Sequence, residues 1–304
     1  MSKERIRHDR SVKGIEKALK TLVMDKPELD SIVTAFGPLL LAKAAFKEEC
    51  PLPESFKTES LSLDQTRFAQ GEPVFTSLGL MDFQDDFKGV IPRLLPPMKE
   101  AFAGIREDLE KIEKGFSDHG IDAGECVRAF LNDDQPILEK QAEQIGASFP
   151  VFQFVLGQLV KPFMEMQAEV VGPLTEGQQW LHGYCPVCGS YAAIAGLAGE
   201  GGKRWLQCAN CNHEWRFNRH TCPRCNDSDH SKHEYFFDEN SPVKAGERVD
   251  VCNECHSYLL TTDLRERIDL VNMDVAAMGM IALDILAQEK GYAPLVSTPW
   301  NSVK

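Results

Sequence analysis

CANCNHEWRFNRHTCPRCN, residues 208–226, carries two Cys-x-x-Cys pairs, Cys208/Cys211 and Cys222/Cys225. A third pair, Cys185/Cys188, lies upstream and a fourth, Cys252/Cys255, downstream. A two-residue gap lets both thiolates of a pair face one tetrahedral ion while the intervening N–H groups point at sulfur. Such a turn needs a residue tolerant of positive φ just after its second cysteine. Gly189, Asn212, Asn226 and His256 hold those places. Pro186 and Pro223 stiffen two of the turns. These eight cysteines are the candidate metal ligands.

Spacing suggests how they group. Nineteen residues separate Cys188 from Cys208 and 26 separate Cys225 from Cys252, and each gap holds a strand–turn–strand pattern that returns one pair beside the other. Only ten residues lie between Cys211 and Cys222, enough for one strand leading onward. The quoted stretch therefore reads as a connector. One site is expected from Cys185, Cys188, Cys208 and Cys211, a second from Cys222, Cys225, Cys252 and Cys255; a crossed or interleaved pairing is the alternative. Four thiolates suit zinc or iron, and spacing does not separate them; on ligand chemistry alone two structural zinc ribbons are favoured over rubredoxin-like iron. Eight thiolates saturate two ions and leave no open position for a catalytic zinc.

The short runs YAAIAGL, KRWLQ, HEWRFNR, HEYFF, ERVDV and SYLLT around the pairs read as strands, with turns at AGEGG and NSPVKAGE. Trp205, Trp215 and Phe217 alternate along them as a small core. His213, His220 and His256 read as surface or hydrogen-bonding groups, since the thiolates already complete both sites. Cys50 and Cys126 have no paired neighbour and read as ordinary buried cysteines.

Upstream, residues 1–179 read as helical. Ile15, Leu19, Leu22 and Val23, then Ile32, Phe36, Leu39 and Leu40, fall at helical spacing. Pro96 and Pro97 are expected near the start of a helix over 98–117, followed by helices over 120–131, 136–146 and 149–169. Residues 50–80 lack a period and read as an extended excursion over the helices. Downstream, DVAAMGMIALDILAQEKGY reads as one closing helix with Val275, Met278, Ile281, Leu283 and Ile285 apolar and Gly291 as its stop. The whole is α+β: a helical segment 1–179, metal ribbons at 180–220 and 221–262, and a helix and tail at 263–304.

The chain has 304 residues and a net charge of −13. Residues 180–262 carry 8 Lys and Arg against 10 Asp and Glu, so neither the ribbons nor the remainder has the basic surplus that phosphate neutralisation needs. The N-terminus MSKERIRHDRSVKG has no apolar signal core, and FPVFQFVLGQLVKPFMEM is interrupted by Gln153, Gln158 and Lys161. These features fit a cytoplasmic protein, where paired thiols hold metal more often than they form disulfides. The chain has no phosphate-binding loop, Gly-x-Ser-x-Gly or His-Glu-x-x-His motif, and the acidic clusters at 82–87 and 132–134 read as solvated ends. No enzyme is indicated.

The order YCPVCGS, CANCNHEW, HTCPRCN, VCNECHSYL after a helical half resembles the formate dehydrogenase accessory protein family. The Trp205 position, the run Arg219–Cys225 and the closing helix are similar to that family too. The resemblance is specific over the cysteine half and loose over residues 1–170. It implies a non-catalytic cytoplasmic maturation factor, a chaperone that binds the catalytic subunit of formate dehydrogenase. It also implies two rubredoxin-like sites on the eight cysteines, with iron favoured over zinc. A nucleic-acid-binding zinc ribbon and a plain electron carrier are the alternatives.

Overall fold

In the computed structural model, residues 5–50, 52, 61–79, 87–118, 120–238, 246–298 and 300–301 are described. The helices are α1 Val12–Asp25, α2 Asp30–Glu49, α3 Gln65–Ala69, α4 Val74–Leu78, α5 Ile91–Ala101, α6 Arg106–Ser117, α7 Ala123–Leu131, α8 Gln135–Gln144, α9 Phe149–Val171, α10 Met273–Gly279 and α11 Ile281–Glu289. The strands are β1 Ala192–Ala198, β2 Lys203–Cys208, β3 Glu214–Arg216, β4 His233–Phe236, β5 Glu247–Cys252, β6 Ser257–Asp263 and β7 Ala293–Pro294. Two units result. One comprises Ser31–Phe56 and Gly79–Gln167; the other comprises Met1–Asp30, Lys57–Leu78 and Ala168–Lys304. The segment 1–179 thus divides between them.

Among its described residues the first unit has helices joined by short turns and no strand. Asp122 opens α7 by accepting from the Glu125 N–H at 2.9 Å, and Asp134 opens α8 by accepting from the Ile137 N–H at 3.4 Å. The clusters at 132–134 is therefore helix punctuation; residues 82–86 of the other acidic cluster lie outside the described residues. Phenylalanines hold the core, Phe36 against Phe102 at 5.0 Å, Phe46 against Phe163 at 5.3 Å and Phe87 against Phe116 at 5.7 Å.

Pro96 and Pro97 stand inside α5 rather than at a helix start. Leu94, Leu95 and Met98 are fully buried around them, and that burial overrides the local cost of proline. Among the described residues one helix, Pro27–Glu49, is long and apolar enough to cross a membrane by length and composition. Two of its lysines are held within the helical unit, Lys43 by the Gln158 side-chain oxygen at 3.0 Å and Lys47 by Glu165 at 2.6 Å.

The second unit is built on one sheet in the order β3-β2-β1-β6-β5-β4, with β7 beside β6. Each ribbon contributes a three-strand set. Pairing is antiparallel within each set, while β1 and β6 join them in parallel, Ile194 opposite Leu260 and Leu197 opposite Asp263. All six strands expected from the sequence form; β7 is an addition. The AGEGG turn joins β1 to β2, whereas residues 240–245 of NSPVKAGE lie outside the described residues.

The N-terminal arm belongs to this unit because its apolar side chains and amides are used there. Ile6, Ile15 and Leu19 are buried, and the amide of Asp9 donates to the Val271 carbonyl at 3.2 Å. Lys26, after α1, donates to Glu247 at 2.5 Å and to the Gly279 carbonyl at 2.6 Å. The closing segment packs back on the sheet, α10 against β1 and α11 against β5, β6 and β7. It is two helices, since Met280 adopts φ −102° and ψ 15° between them. The break resets the helical phase, so Val275, Met278 and Leu283 are buried but Ile285 is 51% exposed.

Asp284 on α11 is buried and accepts from the Tyr258 hydroxyl on β6. Burial pushes its pKa above the ordinary 3.8. The folded chain therefore holds this proton more tightly than the unfolded chain. The resulting stability is full below about pH 4 and is lost as pH rises through the folded value. Asp284→Asn keeps an oxygen for Tyr258. It is expected to flatten the fall in Tm between about pH 4 and pH 7 and to raise Tm at pH 7 by about 2–4 °C. Identical Tm-versus-pH curves for the two proteins would disprove the assignment.

Candidate metal centres

Each Cys-x-x-Cys pair forms a turn closed by its own backbone. The amide of Cys185 donates to Ser190 O at 2.8 Å, that of Cys208 to His213 O at 2.9 Å and that of Cys222 to Asp227 O at 2.8 Å. In the fourth turn Cys252 stands opposite Ser257 across the β5–β6 ladder, the same five-residue step. The residue after each second cysteine has positive φ: Gly189 82°, Asn212 53°, Asn226 60° and His256 52°. Asparagine and histidine accept this conformation at less cost than branched residues do.

The antiparallel hairpins then bring the turns together. Ala192 faces Cys208 across β1–β2, and His233 faces Cys252 across β4–β5. Cys185, Cys188, Cys208 and Cys211 converge, as do Cys222, Cys225, Cys252 and Cys255, each set with its Sγ atoms within 4.8 Å of one another. In the first group Cys185–Cys211 is 3.6 Å and Cys188–Cys208 is 3.3 Å; in the second, Cys222–Cys255 and Cys225–Cys252 are both 3.7 Å. A tetrahedral ion bound at about 2.3 Å to each sulfur requires sulfurs about 3.8 Å apart. Both groups fit such an ion, and the crossed pairing is not formed. The quoted stretch is a connector in the fold, with β3 pairing to β2 before the chain reaches Cys222.

The two groups differ in their surroundings. Cys185 and Cys208 have no exposed surface and Cys211 is 2% exposed, while Cys225 of the second group is exposed. Burial raises the Cys185 and Cys211 thiols well above their ordinary range. Four thiolates share that space only with a cation among them. The Val187 amide points at Cys185 Sγ, 3.4 Å away, and Ser257 Oγ lies 3.0 Å from Cys255 Sγ. These contacts orient the sulfurs. With four thiolates per ion no coordination position is left for substrate, so each centre can supply a structural cross-link or, with iron, a one-electron couple.

The sequence did not reveal what holds the first turn from outside. Where an excursion over the helices was expected, residues 61–78 lie against the cysteines. The amides of Val74 and Phe75 donate to Pro186 O at 2.9 Å and Val187 O at 2.8 Å. Tyr184 donates its hydroxyl to Gly71 O at 2.9 Å, and Phe68 packs on Trp180 at 4.6 Å. The only local signal is Asp64, which caps α3 by accepting from the amides of Thr66 at 2.9 Å and Arg67 at 3.1 Å.

The histidines stay outside both thiolate groups. His220 and His256 are exposed, whereas His213 is half-buried with Nε2 3.4 Å from Thr175 Oγ1, and burial lowers its pKa to about 4. Trp205, Trp215 and Phe217 are buried as core, and Cys126 is fully buried with its thiol pushed up to about 12 by that burial. Cys50 is half-buried.

Comparison with known proteins supplies context. The family model "FdhE, central domain" matches residues 184–219, the span that builds the first group. A curated "Protein FdhE homolog" of Aquifex aeolicus is 26% identical over 247 residues, 77% of each chain. Another, of Haemophilus ducreyi, is 28% identical over 158 residues. That alignment covers 51% of this chain and only 49% of the relative. The crystal structure of the FdhE protein from Pseudomonas aeruginosa superposes with a TM-score of 0.61 over 96% of both chains, at 20% sequence identity. At that identity the match speaks for the fold alone.

Proposed function

The chain is FdhE-like, and on that premise we propose that it is a non-catalytic maturation factor for formate dehydrogenase, acting by binding the enzyme's catalytic subunit. The observation that carries this reading is the coincidence of the family match at 184–219 with a four-thiolate group that leaves no open coordination position. Such groups give a small sheet the rigidity a docking surface needs, since ion binding contributes about 10–16 kcal/mol to folding in comparable small domains. The cytoplasm is the proposed compartment, because its thiols stay reduced.

The metal follows from the same family resemblance: iron in two rubredoxin-like centres, held by Cys185, Cys188, Cys208 and Cys211 and by Cys222, Cys225, Cys252 and Cys255. When bound, iron on four thiolates supplies a one-electron couple. The chain's own residues would bury the first centre and leave one corner of the second, Cys225, open to solvent. A nucleic-acid role is disfavoured by the net −13 charge.

The test is an anaerobic pull-down of the tagged chain with the catalytic subunit, paired with formate dehydrogenase activity in cells lacking this protein. Co-purification at fixed stoichiometry and at least ten-fold loss of activity are expected. No capture together with undiminished activity would reject the proposal. The exposure of Cys225 favours an electron carrier as the second reading; that reading predicts reversible bleaching of the thiolate-to-iron bands and no stable complex.

A further inference from the structure

A cavity of about 200 Å³ lies against the second cysteine group, with Cys222 and Cys252 in its wall. The rest of its lining includes apolar surface from Val251, Tyr258 and Leu259, three guanidinium groups, Arg204, Arg219 and Arg248, three histidines, and the carboxylates of Glu234 and Asp250. We propose that this cavity is a binding site for a small oxyanion, seated on Arg204.

Arg204 is the decisive residue. It comes from β2, is 5% exposed and lines the cavity. Its Nη2 donates to the carbonyls of Asn218 and, at 2.5 Å, Thr221, and its guanidinium carbon lies 5.3 Å from the Phe217 ring. Its Nε is buried and has no acceptor among the described residues. A buried charged donor left without an acceptor is a costly arrangement, and an anion in the cavity removes that cost.

The neighbouring carboxylates are already committed. Asp250 is ion-paired with Arg248, its Oδ1 2.9 Å from Nε, and accepts from Arg248 Nη2 at 3.4 Å and from the Thr261 hydroxyl at 2.7 Å, while Glu234 accepts from Asn253 at 2.8 Å. Arg219 is exposed and has no carboxylate partner among the described residues. Burial lowers the pKa of Arg204 to about 10; the nearby charges of Asp250 and Cys222 oppose that shift, and Arg248 and Arg219 add to it by less.

Size sets the ligand class. Pockets for drug-sized molecules usually run to about 300–1,000 Å³. This cavity therefore suits an ion of phosphate or sulfate size or a short carboxylate, any of which presents several acceptor oxygens to a guanidinium fork.

The experiment is calorimetric titration of the full metal-loaded chain with inorganic phosphate, sulfate and acetate, with chloride as the control. Saturable binding of at least one oxyanion is expected, weakened about ten-fold or more by Arg204→Met and about three-fold or more by Arg219→Gln. Arg219 is exposed, so its variant keeps the fold, and an unchanged Tm in anion-free buffer verifies this. Preference for phosphate and sulfate would define a tetrahedral oxyanion site; preference for acetate would define a carboxylate site. No saturable binding, or binding that survives both substitutions, would overturn the proposal and leave the three arginines as counter-charges to the thiolate-bound ion.

Discussion

Cys208→Ser is expected to abolish the folded state of the cysteine unit. The four sulfurs around this position come from the two turns that flank the β1–β2 hairpin, and three of them have at most 2% of their surface exposed. The stabilisation lost with a four-thiolate ion, about 10–16 kcal/mol in small metal domains, matches or exceeds the whole net stability of a typical protein, about 5–15 kcal/mol. Because β1 also pairs with β6, loss of the first group removes the sheet's centre along with its own hairpin. Metal analysis should find at most one ion per chain, and limited proteolysis should degrade residues 168–301 while α5–α8 persist. Cys225→Ser, at the exposed corner of the second group, should cost less. A Cys208→Ser protein with unchanged Tm would refute a metal-dependent fold.

Gly183→Ala is the second large effect. A Cβ at this position would stand 1.8 Å from the Pro223 carbonyl oxygen, 2.4 Å from its carbon and 2.5 Å from its Cα. All three are backbone atoms, so no side-chain rotation relieves the clash. Pro223 lies between Cys222 and Cys225, and displacing it misplaces both sulfurs. We expect a loss of about 3 kcal/mol or more, at the upper end for overpacking, and a weakened second ion with the first retained. Gly104→Ala, where a Cβ would meet nothing within 4 Å, is the control and should be near neutral. Scanning calorimetry with metal analysis distinguishes the two. Equal Tm for both variants would mean that the Gly183–Pro223 contact carries no weight.

Local chemistry made much of this legible. The requirement for positive φ after each second cysteine picks out Gly189, Asn212, Asn226 and His256, and period-two patterns mark β1 to β6. What escaped was decided at long range or over too few residues. The parallel pairing of Ile194 with Leu260 joins strands whose sequences say nothing about each other. Helices α3 and α4 have five residues each, too short to show a helical period; α3 is placed by Phe68 against Trp180 and α4 by amides donated to the Pro186 and Val187 carbonyls. β7 is two residues, Ala293–Pro294. The break at Met280 is likewise invisible in a run of apolar residues, and it is what turns Ile285 outward.

The parallel seam between β1 and β6 also sets a timetable for synthesis. The ribosome releases β1 some sixty residues before β6, so the first hairpin can gather its ion while one flank of β1 still has no neighbour. An unpaired strand flank is a template for association with other chains. It is covered only when β6 arrives, and that strand begins two residues after Cys255. Filling the second metal centre therefore completes the shelter of the first, and a cell short of metal would accumulate chains with their sheet open at the middle.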